Sequence, residues 1–467
     1  MVQGVPIVDG YLINKNPSTG KVISKVPCTP LDELDTIVER SVVAQVAWAQ
    51  TPTETRIQML RDGLLALART ESLAATIVAE MGKPLAQAFE EAEFAVDKGE
   101  FLDILQASLA PKQFGSSVVV RQALGVVTVL SPWNYPADEI LLLALPALAS
   151  GNTVILKPSE VAPETGKLVA QALQTALPPN VLQLVQGDGA VGAHLVNHKA
   201  VNMIAMTGSS ATGKKILQAA APALKRLVLE LGGKDPMVVF GDADLDKAAA
   251  DAVEYSLSNT GQVCCSIERI YVDMSVYEDF QQRVAALAVE YKVGDGMDRA
   301  VKVGPLVSIM QRDIVKKHVE DALEKGAKLL HQSSVPESTG EDSSFYPVTV
   351  LADVAEGMLM YREETFGPVV ALTPFDGTEE TAIQLANDTE YGLASCVYSK
   401  DLEKARRVAS RINAGQVGIN CYALENMNVA CPWVGHKSSG FGFHSGQEGF
   451  HNFSVPKSLI FTPEESP

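Results

Sequence analysis

Two adjacent thiols, Cys264 and Cys265, lie in the segment Asn259-Thr-Gly-Gln-Val-Cys-Cys-Ser-Ile-Glu-Arg269. A free cysteine titrates near about 8.5, so little of it is thiolate at neutral pH unless its surroundings help. Gly261 permits a tight backbone path before the thiols, and the N–H groups that follow can stabilise an anion. The plainer reading is a small buried hydrophobe, the usual fate of a free cysteine. A second segment, Leu229-Glu230-Leu-Gly-Gly-Lys234, ends an apolar run on a carboxylate. Burial there raises the pKa of Glu230 towards the range of a general base. The alternative is a salt-bridged strand end before a glycine turn. A third, Ser131-Pro132-Trp133-Asn134-Tyr135-Pro136, follows a short β-branched run. The Asn134 amide can donate to a developing oxyanion, or it can close an Asx turn between two prolines.

Three further segments suit a dinucleotide. Lys157-Pro-Ser159-Glu160 follows a strand-like run and offers a cation and a carboxylate for a ribose and its phosphate. Gly208-Ser209-Ser-Ala-Thr-Gly213 reads as a strand-to-helix turn, whose free N–H groups and helix dipole suit a pyrophosphate. It is neither Gly-x-Gly-x-x-Gly nor a phosphate-binding P-loop, so the generic fingerprints fail. Glu363-Glu364-Thr-Phe366-Gly-Pro368 places carboxylates beside an aromatic ring. His194 and His198 are four apart on an expected helix, but with no third ligand nearby no metal is expected. Arg269 is read as a support for the cysteine loop. Met358 and Met360 are read as packing.

Positioning these groups requires strands and helices in alternation. Short β-branched runs occur at 126–130, 154–156, 181–185, 203–206 and 226–231, with helical stretches at 138–149, 162–177, 190–197 and 210–221. A second series has strands near 237–240, 270–272, 369–372 and 394–397 and a helix over 245–257. This is the rhythm of α/β, doubly wound parallel sheets, which bind ligands beyond the carboxyl ends of their strands. Residues 53–110 read as helical, with Ile57, Leu60, Leu64 and Leu67 on one stripe, Thr53 as N-cap, and Gly82 and Pro84 as breaks. Residues 113–121 read as extended. The tail from Phe453 is expected either to fray or to join a neighbour's sheet, and 333–344 reads as a loop.

The length, 467 residues, predicts two or three lobes. Lys+Arg number 38 against 56 Asp+Glu, a net charge of −18, with no basic cluster. That argues against a nucleic-acid partner, which needs a cationic surface. The longest apolar run, 140–149, is too short to span a bilayer and contains Pro146. The N-terminus shows neither a secretion nor a transit pattern. Six scattered cysteines without a Cys-x-x-Cys indicate a reducing compartment, so the expectation is cytoplasmic, with an organelle lumen after processing as the alternative.

Taken in this order and spacing, from Asn16-Pro-Ser-Thr-Gly20 to about Phe453, the segments resemble the aldehyde dehydrogenase superfamily. Gly-Gln-x-Cys and Glu-Leu-Gly-Gly-Lys carry most of that resemblance. It implies a Rossmann-type NAD(P)-binding domain (1–104 with 124–231), a catalytic domain (232–444) and a small β oligomerisation element (105–123 with 445–467), assembled as a homodimer or homotetramer. It implies Cys264 as nucleophile, Glu230 as general base and Asn134 as oxyanion donor. Cys265 is then a neighbour, inert or resolving. Lys157, Ser159 and Glu160 fall on the adenosine ribose, Gly208 and Ser209 on the pyrophosphate, and Glu364 on the nicotinamide ribose, with Phe366, Pro132 and Trp133 around the cofactor. The implied reaction is oxidation of an aldehyde to its acid through a thiohemiacetal and a thioester on Cys264. Glu230 favours hydrolysis over transfer to coenzyme A. Glu160 favours NAD over NADP, since a carboxylate accepts from a free 2′-hydroxyl and repels a 2′-phosphate.

Tyr135 is expected to line the substrate tunnel. If Glu139 faces it, anionic aldehydes such as succinic semialdehyde are disfavoured; the preferred expectation is that Asp138 and Glu139 are helix-start residues facing solvent. The family's usual Pro-Phe-Gly-Gly-x-Lys reads Pro432-Trp433-Val434-Gly435-His436-Lys437 here, and His444 stands where many members have a relay glutamate. The competing classes are a semialdehyde dehydrogenase of narrow specificity, a cysteine hydrolase, which would need a histidine base near Cys264, and a redox-silent protein on the same fold.

Overall fold

The computed structural model describes residues 5–336 and 343–462. Its core is two mainly parallel sheets. The first has six strands in the order Gly440–Phe441, Arg226–Glu230, Val201–Thr207, Val126–Leu130, Thr153–Lys157 and Leu182–Leu184, parallel except at the first pair. The second has seven, ordered Lys328–Gln332, Thr349–Ala352, Val369–Phe375, Ile267–Asp273, Asp235–Val239, Ala394–Tyr398 and Gln416–Ile419, again parallel except at the first pair. The central strands are buried along their whole length, as in Thr153–Lys157 and Asp235–Val239. Helices cover both faces of such sheets, so their strands are continuous apolar runs. The helices at 138–149 and 245–257 lie where periodicity puts them, and the α/β reading stands.

The helical region before the first sheet divides into Thr53–Ala68, Leu73–Met81, Leu85–Val96 and Gly99–Ser108. Ile57, Leu60, Leu64 and Leu67 are all buried, as their spacing requires. Thr53 is not an N-cap: it is the first helical residue, Pro52 holds the cap position, and no side chain caps the helix. Gly82 ends a helix at φ +80°, with the Pro305 ring where a Cβ would stand. A preceding helix, Leu34–Gln50, was not anticipated.

The tail does not fray along 454–460, where it forms a strand. Ser454–Ile460 pairs antiparallel with Ser117–Ala123 of the same chain, which in turn pairs with Lys112–Phe114. Residues 1–4, the 337–342 part of the expected loop and the 463–467 end of the tail lie outside the described residues.

The ends of the two sheets converge. Strands Val126–Leu130, Thr153–Lys157, Val201–Thr207 and Arg226–Glu230 of the first sheet all run towards one edge, where Asn134, Lys157, Gly208 and Glu230 lie. The loops that lead into Ile267–Asp273 and Val369–Phe375 of the second sheet bring Cys264 and Glu364 to meet them.

Candidate active site

The cysteine loop is held in an unusual backbone shape. Asn259, Thr260 and Gly261 are consecutive residues at φ +49°, +62° and +71°. Two non-glycine residues there cost energy, so the surroundings must over-determine the turn. They do: a Cβ on Gly261 would lie 2.0 Å from the Gly367 carbonyl. The fully buried Gln262 side chain donates to the Asn259 carbonyl and accepts from Val307 N. The Gln262 carbonyl accepts from both Asn134 Nδ2 and Asn259 Nδ2, each at 3.1 Å, and Asn259 Nδ2 also reaches the Asn134 carbonyl at 3.0 Å. Asn134 is therefore no local Asx turn. It is buried and tied to a residue 128 positions away, two before Cys264.

Cys264 is partly exposed, whereas Cys265 beside it is buried, and all six cysteines are free. The Cys265 side chain, burial and the Glu230 charge push the Cys264 thiol well above its usual value, so the resting group is a protonated thiol. Cys265 lies within hydrogen-bonding reach of the Cys264 thiol and also accepts from the Tyr422 hydroxyl, which stands 3.0 Å from its Sγ and 2.8 Å from its carbonyl. Tyr422 stacks on Tyr255 at 3.9 Å.

Glu230 is buried and makes no ion pair among the described residues, so it is not the salt-bridged strand end of the alternative reading. Burial raises its pKa to about 7, while hydrogen bonds from Trp433 and Cys264 pull it down. The two glycines after it have a steric reason. A Cβ on Gly232 would lie 2.6 Å from Glu364 Oε2, and one on Gly233 would lie 2.3 Å from the Cys264 carbonyl. Only a chain without side chains here lets Glu230, the cysteine loop and Glu364 converge.

Glu364 Oε1 accepts from Gly233 N at 3.1 Å, and burial next to Glu268 raises its pKa to about 8. The turn after it is anchored by Glu268, whose carboxylate accepts from Thr365 N at 2.8 Å, from Phe366 N at 2.9 Å and from buried Lys234 Nζ at 2.5 Å. Phe366 sits at φ +53°, its ring edge-to-face with Trp133 at 5.6 Å between centroids. Arg269 is structural, but its side chain ties Lys234 to the 385–386 segment rather than bracing the cysteine loop: it donates to the carbonyls of Lys234, Leu385 and Ala386.

Asp138 and Glu139 do not face solvent. Asp138 is buried and paired with Lys98 Nζ at 2.6 Å, and Glu139 Oε2 accepts from Thr207 Oγ1 at 2.9 Å. Burial and then the Glu230 charge push the Glu139 carboxyl well above the usual range. Strand register explains the approach: Thr207 pairs directly with Glu230. Tyr135 is packed under Lys83 Nζ, 3.6 Å from its ring centre. His444 is buried opposite Trp433 in a short antiparallel pair, donates to or accepts from Ser445 Oγ at 2.8 Å, and burial lowers its pKa to about 4.

The candidate cofactor groups line the first sheet's edge. Buried Lys157 approaches Glu160 at 3.6 Å, and Ser159 Oγ accepts from Val161 N. Ser209 caps the helix Ser210–Ala220 by accepting from Thr212 N. The expectation of free N–H groups in that turn needs one correction: Gly208 N already donates to the Glu230 carbonyl at 2.9 Å. Pro132 is buried beneath this edge. His194 and His198 both lean on Asp35, at 2.7 and 3.5 Å, and no group that could hold a metal ion occurs among the described residues.

A protein-family model described as the aldehyde dehydrogenase family matches residues 9–459. The chain belongs to this family. The chloroplastic aminoaldehyde dehydrogenase ALDH10A8 of Arabidopsis thaliana is 36% identical over 98% of this chain and 95% of its own length. The succinate-semialdehyde dehydrogenase [NADP(+)] GabD of Escherichia coli is 34% identical over 94% and 92%. Among solved structures, aldehyde dehydrogenase C of Pseudomonas syringae, a cysteine-to-alanine mutant with NAD+ and octanal, superposes with a TM-score of 0.90 at 34% identity, covering 97% of this chain and 94% of that one. This aldehyde dehydrogenase is thus an NAD(P)-dependent enzyme that oxidises an aldehyde.

The sequence reading missed Gln262 and Asn259 as anchors of the loop, and Glu268 and Trp433 as partners of site residues. In this aldehyde dehydrogenase the Asn134 side chain offers a testable separation of roles. Asn134→Ala is expected to lower kcat by about 10²–10³-fold, the effect of losing one oxyanion donor. The loop should keep its shape, because Asn259 still donates to the Gln262 carbonyl. Steady-state kinetics beside a thermal melt checks both; an unchanged kcat removes Asn134 from the oxyanion role.

Proposed function

We propose that Cys264, Glu230 and Asn134 carry out non-acylating aldehyde oxidation, and that NAD is the preferred cofactor. The observation that supports this most is the contact of the Cys264 thiol with the buried Glu230 carboxylate, with the Asn134 amide tied to Gln262, two residues before Cys264. The Cys264 thiol gives its proton to solvent, and the thiolate Sγ adds to the aldehyde carbon. Asn134 Nδ2 and the Cys264 N–H stabilise the oxyanion of the thiohemiacetal. Bound NAD(P)+ supplies the hydride acceptor, which leaves a thioester on Cys264. Glu230 then takes a proton from water, the oxygen adds to the acyl carbon, the C–S bond breaks, and the acid leaves with the thiol restored.

The residues present suit the cofactor. The helix start at Ser209 suits a pyrophosphate. Lys157, Ser159 and Glu160 suit the adenosine ribose, Glu364 the other ribose, and Trp133, Pro132 and Phe366 the surrounding packing. Glu160 disfavours a 2′-phosphate, although Lys157 at 3.6 Å softens the repulsion. The measured outcome should be a higher kcat/KM with NAD than with NADP over a panel of aliphatic, aromatic, ω-carboxy and ω-amino aldehydes. Equal or higher efficiency with NADP overturns the preference.

The substrate reading follows Glu139 and Tyr135. The inward carboxyl of Glu139 stands beside Glu230 and offers no cation to an anionic aldehyde, so neutral or cationic aldehydes are favoured over anionic ones. The relatives' names span both kinds, aminoaldehyde and succinate semialdehyde. The small sheet built from Lys112–Phe114, Ser117–Ala123 and Ser454–Ile460 suits a homodimer or homotetramer contact, and the reducing compartment is most simply the cytoplasm. No helix among the described residues is long and apolar enough to cross a membrane.

A further inference from the structure

Glu230 is grasped by only one of its two oxygens. Oε1 accepts from the indole Nε1–H of Trp433 at 3.1 Å, whereas Oε2 is sealed from solvent without a partner among the described residues. The donor comes from far along the chain, 203 residues later. It is itself rigid: Trp433 is 8% exposed, in antiparallel register with His444, while Val434 pairs with Phe443. The following segment, Gly440–Phe441, pairs with Leu229 and Glu230, and the Ser439 carbonyl accepts from Leu231 N at 2.9 Å. The backbone of Glu230 and the indole that holds its side chain therefore belong to one hydrogen-bonded unit. A phenylalanine here would fill much of the same space without an N–H.

We infer that Trp433 is a positioning residue for the deacylation step: its indole N–H fixes the Glu230 carboxylate through Oε1, so that Oε2 is the oxygen presented to the hydrolytic water. This rests on the proposed role of Glu230. In the step itself, Oε2 takes a proton from water, the water oxygen bonds to the thioester carbon, and the C–S bond breaks. The sulfur of Cys264 takes up the proton, so no net charge or oxidation state changes. An anchored Oε1 keeps the carboxylate from swinging, and a donor to the charged form favours ionisation. Three other titratable groups face Glu230: the Cys264 thiol and the carboxyls of Glu139 and Glu364. None is a cation; the indole N–H and the Cys264 thiol are the two donors that favour the ionised form of Glu230.

Trp433→Phe keeps the ring and removes the donor. The expected result is a burst of about one NADH per subunit at near wild-type rate, followed by a steady-state rate lowered by about tenfold, as for loss of a hydrogen bond to a charged group. The acidic limb of the kcat profile should move up by about one pH unit, because the carboxylate has lost a stabilising donor. A wild-type burst-to-steady ratio together with an unmoved limb overturns the inference. Should the variant fold poorly, the wild-type indole ¹⁵N–¹H signal of Trp433 decides: it should titrate with Glu230 near pH 7 and become pH-independent in Glu230→Gln. A signal that does not titrate in the wild type overturns the inference as well. If Glu230→Gln itself turns over at the wild-type rate, the proposed role of Glu230 fails instead, which separates the two ideas.

Discussion

Replacing Cys264 by Ala is expected to abolish aldehyde-dependent NAD(P)H formation, a fall of at least about 10⁴-fold, while Cys265→Ala retains activity within about tenfold. The difference follows from where the two sulfurs point. Cys264 is the partly exposed one, and its thiol lies against the Glu230 carboxylate. Cys265 is turned into the core of the second lobe and tied to Tyr422 at both Sγ and its carbonyl. Removing the first takes away the covalent intermediate. Removing the second leaves a small cavity, while the Tyr422 hydroxyl keeps its bond to the backbone carbonyl, so the change costs stability rather than chemistry. Residual turnover in Cys264→Ala comparable to wild type would falsify the covalent route. Loss in Cys265→Ala without loss of folding would mean the nucleophile is the wrong neighbour.

Glu230→Gln should separate the two halves of the reaction. Acylation should still yield about one NAD(P)H per subunit, whereas turnover should fall by about 10²–10⁴-fold, the range for a lost general base. The pH dependence has a definite sign. Burial raises the Glu230 pKa to about 7, so the working carboxylate is present above that pH and is lost as the pH falls through it. The wild-type kcat should therefore show an acidic limb near pH 7, and that limb should vanish in Glu230→Gln. A limb that persists unchanged in the variant assigns it to another group. Steady-state turnover that equals wild type assigns the base elsewhere.

The candidate residues of this site were legible in residue type and order: a cysteine after Gly-Gln, a glutamate before two glycines, an asparagine between prolines. The alternating strands and helices were legible because parallel strands buried on both faces must be apolar throughout. What sequence could not show was direction. Asp138 and Glu139 looked like solvated helix-start residues, yet their helix begins at the carboxyl edge of the first sheet, and Lys98 and Thr207 satisfy them inside. Thr53 looked like a cap, but Pro52 already sets the extended conformation before the helix. The Gly208 amide looked free because its acceptor, the Glu230 carbonyl, lies on the next strand. Glu268 and Trp433 escaped because their partners, Thr365 and Glu230, are distant in sequence. Pairings of that kind depend on register, which one sequence does not display.

The most direct test of the whole account is to mix Glu230→Gln with NAD and an aldehyde that the wild type turns over, quench within the first turnover, and locate the acyl group by peptide mass spectrometry. The account predicts one acyl group per subunit, as a thioester on Cys264 within the peptide segment 259–269. An acyl group on Cys265, or NADH formed with no acyl-enzyme at all, would contradict it.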